Sequence, residues 1–125
     1  MYIKYNANPT GRYTNDCTIR AISTATGKRW REVYAAICAE GYEPCDMPSS
    51  NAMWGAYLRN NGFKRYIIPN TCPDCYTVKD FCADYPEGTY ILATGTHVIA
   101  VKDGNYYDTW DSGMELPIYY WVKED

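Results

Sequence analysis

The sequence predicts an α+β fold, with helices in the first two thirds and antiparallel strands after them. Three observations carry that expectation. Between residues 16 and 85 apolar side chains recur at helical spacing, in runs bounded by capping residues or glycine. From Thr89 onward the texture changes to short runs rich in aromatic and β-branched residues. Between two of those runs stands Asp103-Gly104, a strong signal for a two-residue hairpin.

Met1 to Tyr13 is short and mixed, fitting either a strand or an arm. A first helix is expected over 16–26, stopped at Gly27, with Cys17, Ala21 and Ala25 giving a face of small residues for close packing. Trp30, Val33, Tyr34, Ile37 and Cys38 follow the i, i+3, i+4, i+7, i+8 pattern of a second helix, which Gly41 should end. Pro44 and Pro48 mark a loop leading to Ser50, the expected N-cap of a third helix carrying Met53, Trp54, Tyr57 and Leu58. Gly62 closes that helix, and Phe63 to Ile68 reads as a strand. Thr77 and Asp80 have capping-box spacing before a short fourth helix whose apolar face is Val78, Phe81, Cys82 and Tyr85. Strands are then expected at 90–93, 97–102, 105–110 and 118–122.

At 125 residues, 46% hydrophobic and 16% aromatic, the chain fits one packed domain spanning 1–125. A net charge of −3 with no basic run argues against nucleic acid as the main partner, because phosphate binding needs a concentrated basic surface. No apolar stretch approaches the roughly 20 residues of a membrane span. The N-terminus has no signal-peptide pattern, so no membrane role is expected and a cytoplasmic location is. In that compartment most of the six cysteines should be reduced, with Cys38 and Cys82 packed in apolar helix positions.

Two residues carry the chemistry. Cys17 falls where Thr14-Asn15-Asp16 gives way to a helix, and a thiolate is favoured at a helix N-terminus beside an imidazolium. His97 is the only histidine, hence the only imidazole base the chain offers. If Asp103 and Gly104 form the loop, paired residue numbers sum to 207, so Trp110 lies opposite His97 and Asp108 opposite Ile99. Alternation then puts His97, Ile99, Asp108 and Trp110 on one face, with Asp108 a diagonal neighbour able to orient the imidazole. Asp111 has the wrong parity unless a bulge intervenes, and is the reserve acid.

The order of a cysteine at a helix start, a histidine opening a strand and then Asp108-Thr109-Trp110 resembles the papain-like cysteine peptidases. In that family the histidine strand leads through a turn to Asn-Ser-Trp, and aspartate replaces asparagine in the bacteriocin-processing type. The Asn15-Asp16-Cys17-x-x-Arg20-Ala21-Ile22 opening is also similar to short papain-like proteins of bacteriophages. The resemblance implies a papain-like domain with the nucleophile helix packed on an antiparallel sheet. It further implies a Cys17–His97–Asp108 triad, a tryptophan shielding the histidine, no cofactor, and a protein or peptide substrate in a cytoplasm, the host's if the protein is phage-encoded. One feature departs from it: the family carries a glutamine six residues before the cysteine, where this chain has Gly11 and no glutamine anywhere. Asn15 with the Cys17 amide is the expected substitute for holding the oxyanion. The expected function is hydrolysis of an amide or isopeptide bond. The alternatives are acyl transfer at the same site, or an inactive fold that engages a protein partner.

Cys72-Pro73-Asp74-Cys75 has the spacing of a zinc knuckle or a redox dithiol, but no second such pair exists to complete four zinc ligands. A turn carrying two thiols, unlinked or opportunistically paired, is the simplest reading.

Overall fold

The structure, a computed structural model, describes Met1–Glu124. It contains β1 (Tyr2–Lys4), α1 (Cys17–Thr26), α2 (Trp30–Tyr42), α3 (Asn51–Asn60), β2 (Phe63–Ile67), α4 (Val78–Asp84), β3 (Thr89–Ala93), β4 (Val98–Lys102), β5 (Asn105–Asp108) and β6 (Tyr119–Lys123). The strands form one six-stranded sheet in the order β1-β5-β4-β3-β6-β2. All neighbours are antiparallel except β1, which runs parallel to β5. The architecture is α+β, as the sequence predicts.

Both faces of the sheet are covered, which explains the uninterrupted apolar texture of its central strand. Val98 and Ala100 of β4, with Ile91 and Ala93 of β3, pack against Ile22 of α1, Val33 and Ile37 of α2, and Trp54 and Leu58 of α3. Ile99 and Val101, with Leu92 and Tyr106, face Val78, Phe81 and Cys82 of α4. Period-two alternation along β3 and β4 thus feeds two separate cores. Ile22, Ile37, Leu58 and Ile99 are fully buried. Truncating any one of them to alanine removes contacts worth about 2–5 kcal/mol.

The β4–β5 hairpin has the expected register, Lys102 opposite Asn105 and Ala100 opposite Tyr107. Asp103 and Gly104 both take positive φ, +50° and +76°, as a type I′ turn requires. The capping box of α4 is present: the Thr77 hydroxyl accepts from the Asp80 amide at 3.2 Å, and the Thr77 amide donates to the Asp80 carboxylate at 2.9 Å.

Several boundaries differ from expectation. Helix α2 continues past Gly41 to Tyr42, because Gly41 is a close approach rather than a stop. A Cβ there would lie 2.3 Å from the Asp46 carbonyl oxygen, and the Gly41 carbonyl accepts from the Asp46 amide at 2.9 Å. Helix α1 begins at Cys17, and the Asp16 side chain makes no capping bond. Strand β4 begins at Val98, one residue after His97, and β5 ends at Asp108, so Trp110 lies beyond the ladder. Side-chain bonding accounts for both edges. The Thr94 hydroxyl accepts from the His97 amide at 2.9 Å, and the Asp108 carboxylate accepts from the Thr109 amide at 2.8 Å.

Candidate active site

Helix α1 lies against β4, and its first residue, Cys17, reaches the end of the sheet where β4 opens and β5 closes. His97 and Asp108 stand at those two strand ends. Their pairing needs only the hairpin register, but the one-face grouping with Ile99 needs correction. Ile99 packs on the α4 side, whereas Asp108 is bonded to Arg20 of α1. Regular alternation stops where the ladder stops, and both polar side chains turn around the sheet edge toward the N-terminus of α1.

His97 Nε2 lies 2.6 Å from an Asp108 carboxylate oxygen. With Nε2 so engaged, Nδ1 is the nitrogen left to face the Cys17 thiol, which lines one cleft with His97 and Val98 and has its thiolate favoured by the imidazole and the Val98 backbone amide. Burial of the thiol is the largest single influence on it and opposes ionisation. The imidazole, the Val98 amide and the charges of His97 and Arg20 together outweigh burial, so the Cys17 pKa falls below that of an ordinary thiol. Burial likewise opposes charge on His97, but its bonds to Asp108 and Cys17 and their negative charges raise its pKa to about 9. Asp108 is held below the usual carboxylate range: burial acts against this, and His97, Ser112 and the Thr109 amide overcome it. Near neutral pH these influences favour an imidazolium on His97, braced by the Asp108 carboxylate, and shift the Cys17 thiol toward its thiolate.

Asp108 is 1% exposed and its carboxylate is fully used. One oxygen accepts from Arg20 at 3.1 Å and the Thr109 amide at 2.8 Å; the other meets His97 and the Ser112 hydroxyl at 2.7 Å. Arg20 in turn donates to Asp16 at 2.7 Å, and the second Asp16 oxygen accepts from Asn8 at 3.1 Å and from the Trp30 indole at 3.0 Å. A buried line of charges, Asp16, Arg20, Asp108 and His97, thus leads to the Cys17 thiol. Asp16, Arg20 and Ser112 were not singled out as site residues by the sequence reading. The signal for the first two was present: a carboxylate and a guanidinium four residues apart, the cation three residues after Cys17 on a helix that packs against a sheet. Nothing local marks Ser112.

The other expected residues fall as follows. Trp110 is 46% exposed and lies beside the imidazole, ring centroids 5.0 Å apart and planes tilted by 35°. Asn15 is exposed on the rim of the same cleft, and its side chain makes no hydrogen bond among the described residues. The reserve acid does not join the site: Asp111 is exposed and bonded to the Tyr106 hydroxyl and the Gly113 amide. As the first helical residue, Cys17 has a backbone N–H without an intrahelical partner, available to an oxyanion.

The cleft over the triad measures about 580 Å³, with Tyr13, Asn15, Trp54, Thr94, Trp110 and Tyr119 among its walls. Arg20 is the only charged lining side chain besides His97 and the thiol, and its guanidinium is already committed to two carboxylates. The opening therefore offers neutral polar and aromatic contacts.

Elsewhere, Cys72 and Cys75 are joined in a disulfide, while Cys17, Cys38, Cys45 and Cys82 are free. No group of three or more His, Cys, Asp and Glu side chains among the described residues is arranged to hold a metal ion. No helix among them is long and apolar enough to cross a membrane. No family model, no curated protein and no solved structure matches this chain.

Proposed function

We propose that this protein is a thiol hydrolase of the cysteine-peptidase type, papain-like in the arrangement of its site, that cleaves an amide or isopeptide bond. The observation that carries the reading is the Cys17 thiol sharing a cleft with an imidazole that lowers its pKa and whose Nε2 is held 2.6 Å from a buried carboxylate. Nucleophile, base and orienting acid stand in sequence, with the nucleophile at a helix N-terminus facing an open cleft.

The thiolate of Cys17 attacks the substrate carbonyl, forming a carbon–sulfur bond and placing negative charge on the carbonyl oxygen. The free Cys17 amide and the exposed Asn15 amide are the donors proposed for that oxygen. Collapse expels the amine, which takes its proton from the His97 imidazolium, and leaves a thioester on Cys17. His97, now neutral, accepts a proton from water as the water attacks the thioester. The acid product leaves and the thiolate–imidazolium pair is restored. Asp108 keeps its proton-free form and fixes the ring throughout. An amine in place of water would give acyl transfer by the same steps.

A second reading, a protein-binding module on an inactive site, is favoured by one observation: the oxyanion donors are a single backbone amide and an unanchored Asn15 in place of an upstream glutamine. Incubation with a fluorogenic peptide-amide library, acid quench and mass analysis separates the two. The proposed hydrolase releases fluorophore and leaves a thioester on Cys17, and Cys17→Ala abolishes both. A binding module gives neither signal with any library member, and retains its partner after Cys17→Ala.

A further inference from the structure

A groove of about 820 Å³ lies away from the triad, where the end of α1 and the start of α2 face the N-terminal arm and the hairpin. Its volume is within the range of about 300–1,000 Å³ typical of ligand sites. Its walls hold Lys28, Arg29, Arg31 and Lys102, and a single acid, Glu32. Among the described residues none of the four cations has a carboxylate within ion-pair distance, and the ion pairs there all belong to the triad network. A concave surface with four cations and one acid, three positive charges net in a chain of net charge −3, is poised for an anion.

Between the cations stand aromatic walls with fixed geometry. The Trp30 ring is stacked on Tyr34, centroids 5.2 Å apart at 15°, and its indole N–H is tied to Asp16. Tyr5 is 50% exposed, and Tyr107 lines the groove from β5. Apolar side chains and backbone of a ligand thus find rigid faces between the charges.

We propose that this groove binds a short acidic peptide segment of a protein partner, its Asp and Glu carboxylates paired with Arg29, Arg31 and Lys102. The extent of the charge favours this over nucleic acid. The groove contributes three positive charges net, so the remainder of the chain carries six negative ones. A segment whose carboxylates end within the groove meets a net attraction. A phosphate backbone continuing beyond it gains nothing from a remainder of net negative charge.

The test is fluorescence anisotropy of the whole protein with three labelled probes: a Glu-rich octapeptide, its Gln counterpart and an eight-nucleotide single strand. The Glu peptide should bind at least tenfold more tightly than the Gln peptide, with an affinity that falls as salt is raised from 50 to about 300 mM. Arg29→Glu with Arg31→Glu should weaken the Glu peptide at least tenfold while leaving the alkylation rate of Cys17 unchanged. Equal binding of the Gln peptide, tighter binding of the oligonucleotide, or full affinity in the double variant overturns the proposal. Should the double variant fail to fold by circular dichroism, the probe comparison and the salt series on the unaltered protein decide the matter alone.

Discussion

Replacing Arg20 by methionine tests the charge line behind the triad. Its guanidinium lies 2.7 Å from Asp16 and 3.1 Å from Asp108, and the three side chains are only 10%, 5% and 1% exposed. Methionine fills the volume of the stem but leaves two buried carboxylates without their shared cation. Removing one partner of a buried ion pair costs about 3–5 kcal/mol. With an unfolding entropy of about 2.1 cal/mol/K per residue, a chain of 125 residues loses roughly 10–20 °C in Tm. Asp108 keeps His97, Ser112 and the Thr109 amide, so the triad stays assembled in the folded fraction. Loss of the Arg20 charge still raises the Cys17 pKa, because that charge helps to hold the thiolate. Alkylation of Cys17 near neutral pH should slow several-fold. Arg20→Lys, which reaches one carboxylate but not both, should fall between. Thermal denaturation by circular dichroism measures the first effect and iodoacetamide labelling the second. A Tm within about 3 °C of the parent in Arg20→Met would refute the buried-charge argument.

Asp108→Asn keeps a hydrogen bond to His97 but not the charge, so the His97 pKa should drop from about 9 and turnover should fall by about 10- to 10⁴-fold, read by NMR titration and kinetics. Ser112→Ala removes one bond to the same carboxylate and should cost about 0.5–1.5 kcal/mol in denaturant unfolding, with the triad still reactive. The pH dependence of stability has a worked sign. His97, raised, stabilises the fold fully below its ordinary 6.5, and that contribution is lost as pH rises through about 9. Cys17, lowered, stabilises above its ordinary 9.0 and loses the contribution as pH falls through its depressed value. Where the two windows overlap below 9, the proton that His97 gains on folding is opposed by the one Cys17 loses, so unfolding free energy should vary less with pH than His97 alone dictates. In Cys17→Ala only His97 remains, its shift reduced by the loss of Cys17, and stability should decline as pH rises above 6.5 by at most about 1.4 kcal/mol per unit.

Much of the fold and the geometry of the hairpin were legible in the sequence for physical reasons. Asp103-Gly104 has the backbone preference of one turn type, and that turn sets a register that puts Asp108 within reach of His97. The capping box at Thr77 is a local bond between residues three apart, so it too could be read directly. Gly41 could not: a glycine required by the approach of Asp46 looks, in sequence, like a helix stop. The strand edges were also hidden, since Thr94 and Asp108 use side-chain oxygens to take amides out of the ladder. Arg20 illustrates the deepest gap. Its i, i+4 partner Asp16 is local, but its second partner, Asp108, is 88 residues away and known only once α1 lies on β4. The Cys72–Cys75 spacing admitted a turn, a metal or a disulfide, and the choice depended on three-dimensional proximity.

The central claim, that Cys17 is a nucleophile activated by His97, is tested most directly by the pH dependence of its alkylation. Iodoacetamide modification followed by mass spectrometry resolves Cys17 from exposed Cys45, half-buried Cys38 and the buried Cys82, whose pKa is raised by burial. The account predicts that Cys17 reacts fastest near neutral pH, with a midpoint below that of an ordinary thiol. It also predicts that His97→Ala moves this midpoint upward and slows the reaction at pH 7 by tenfold or more. A Cys17 midpoint at or above the ordinary value, unchanged by His97→Ala, would contradict it.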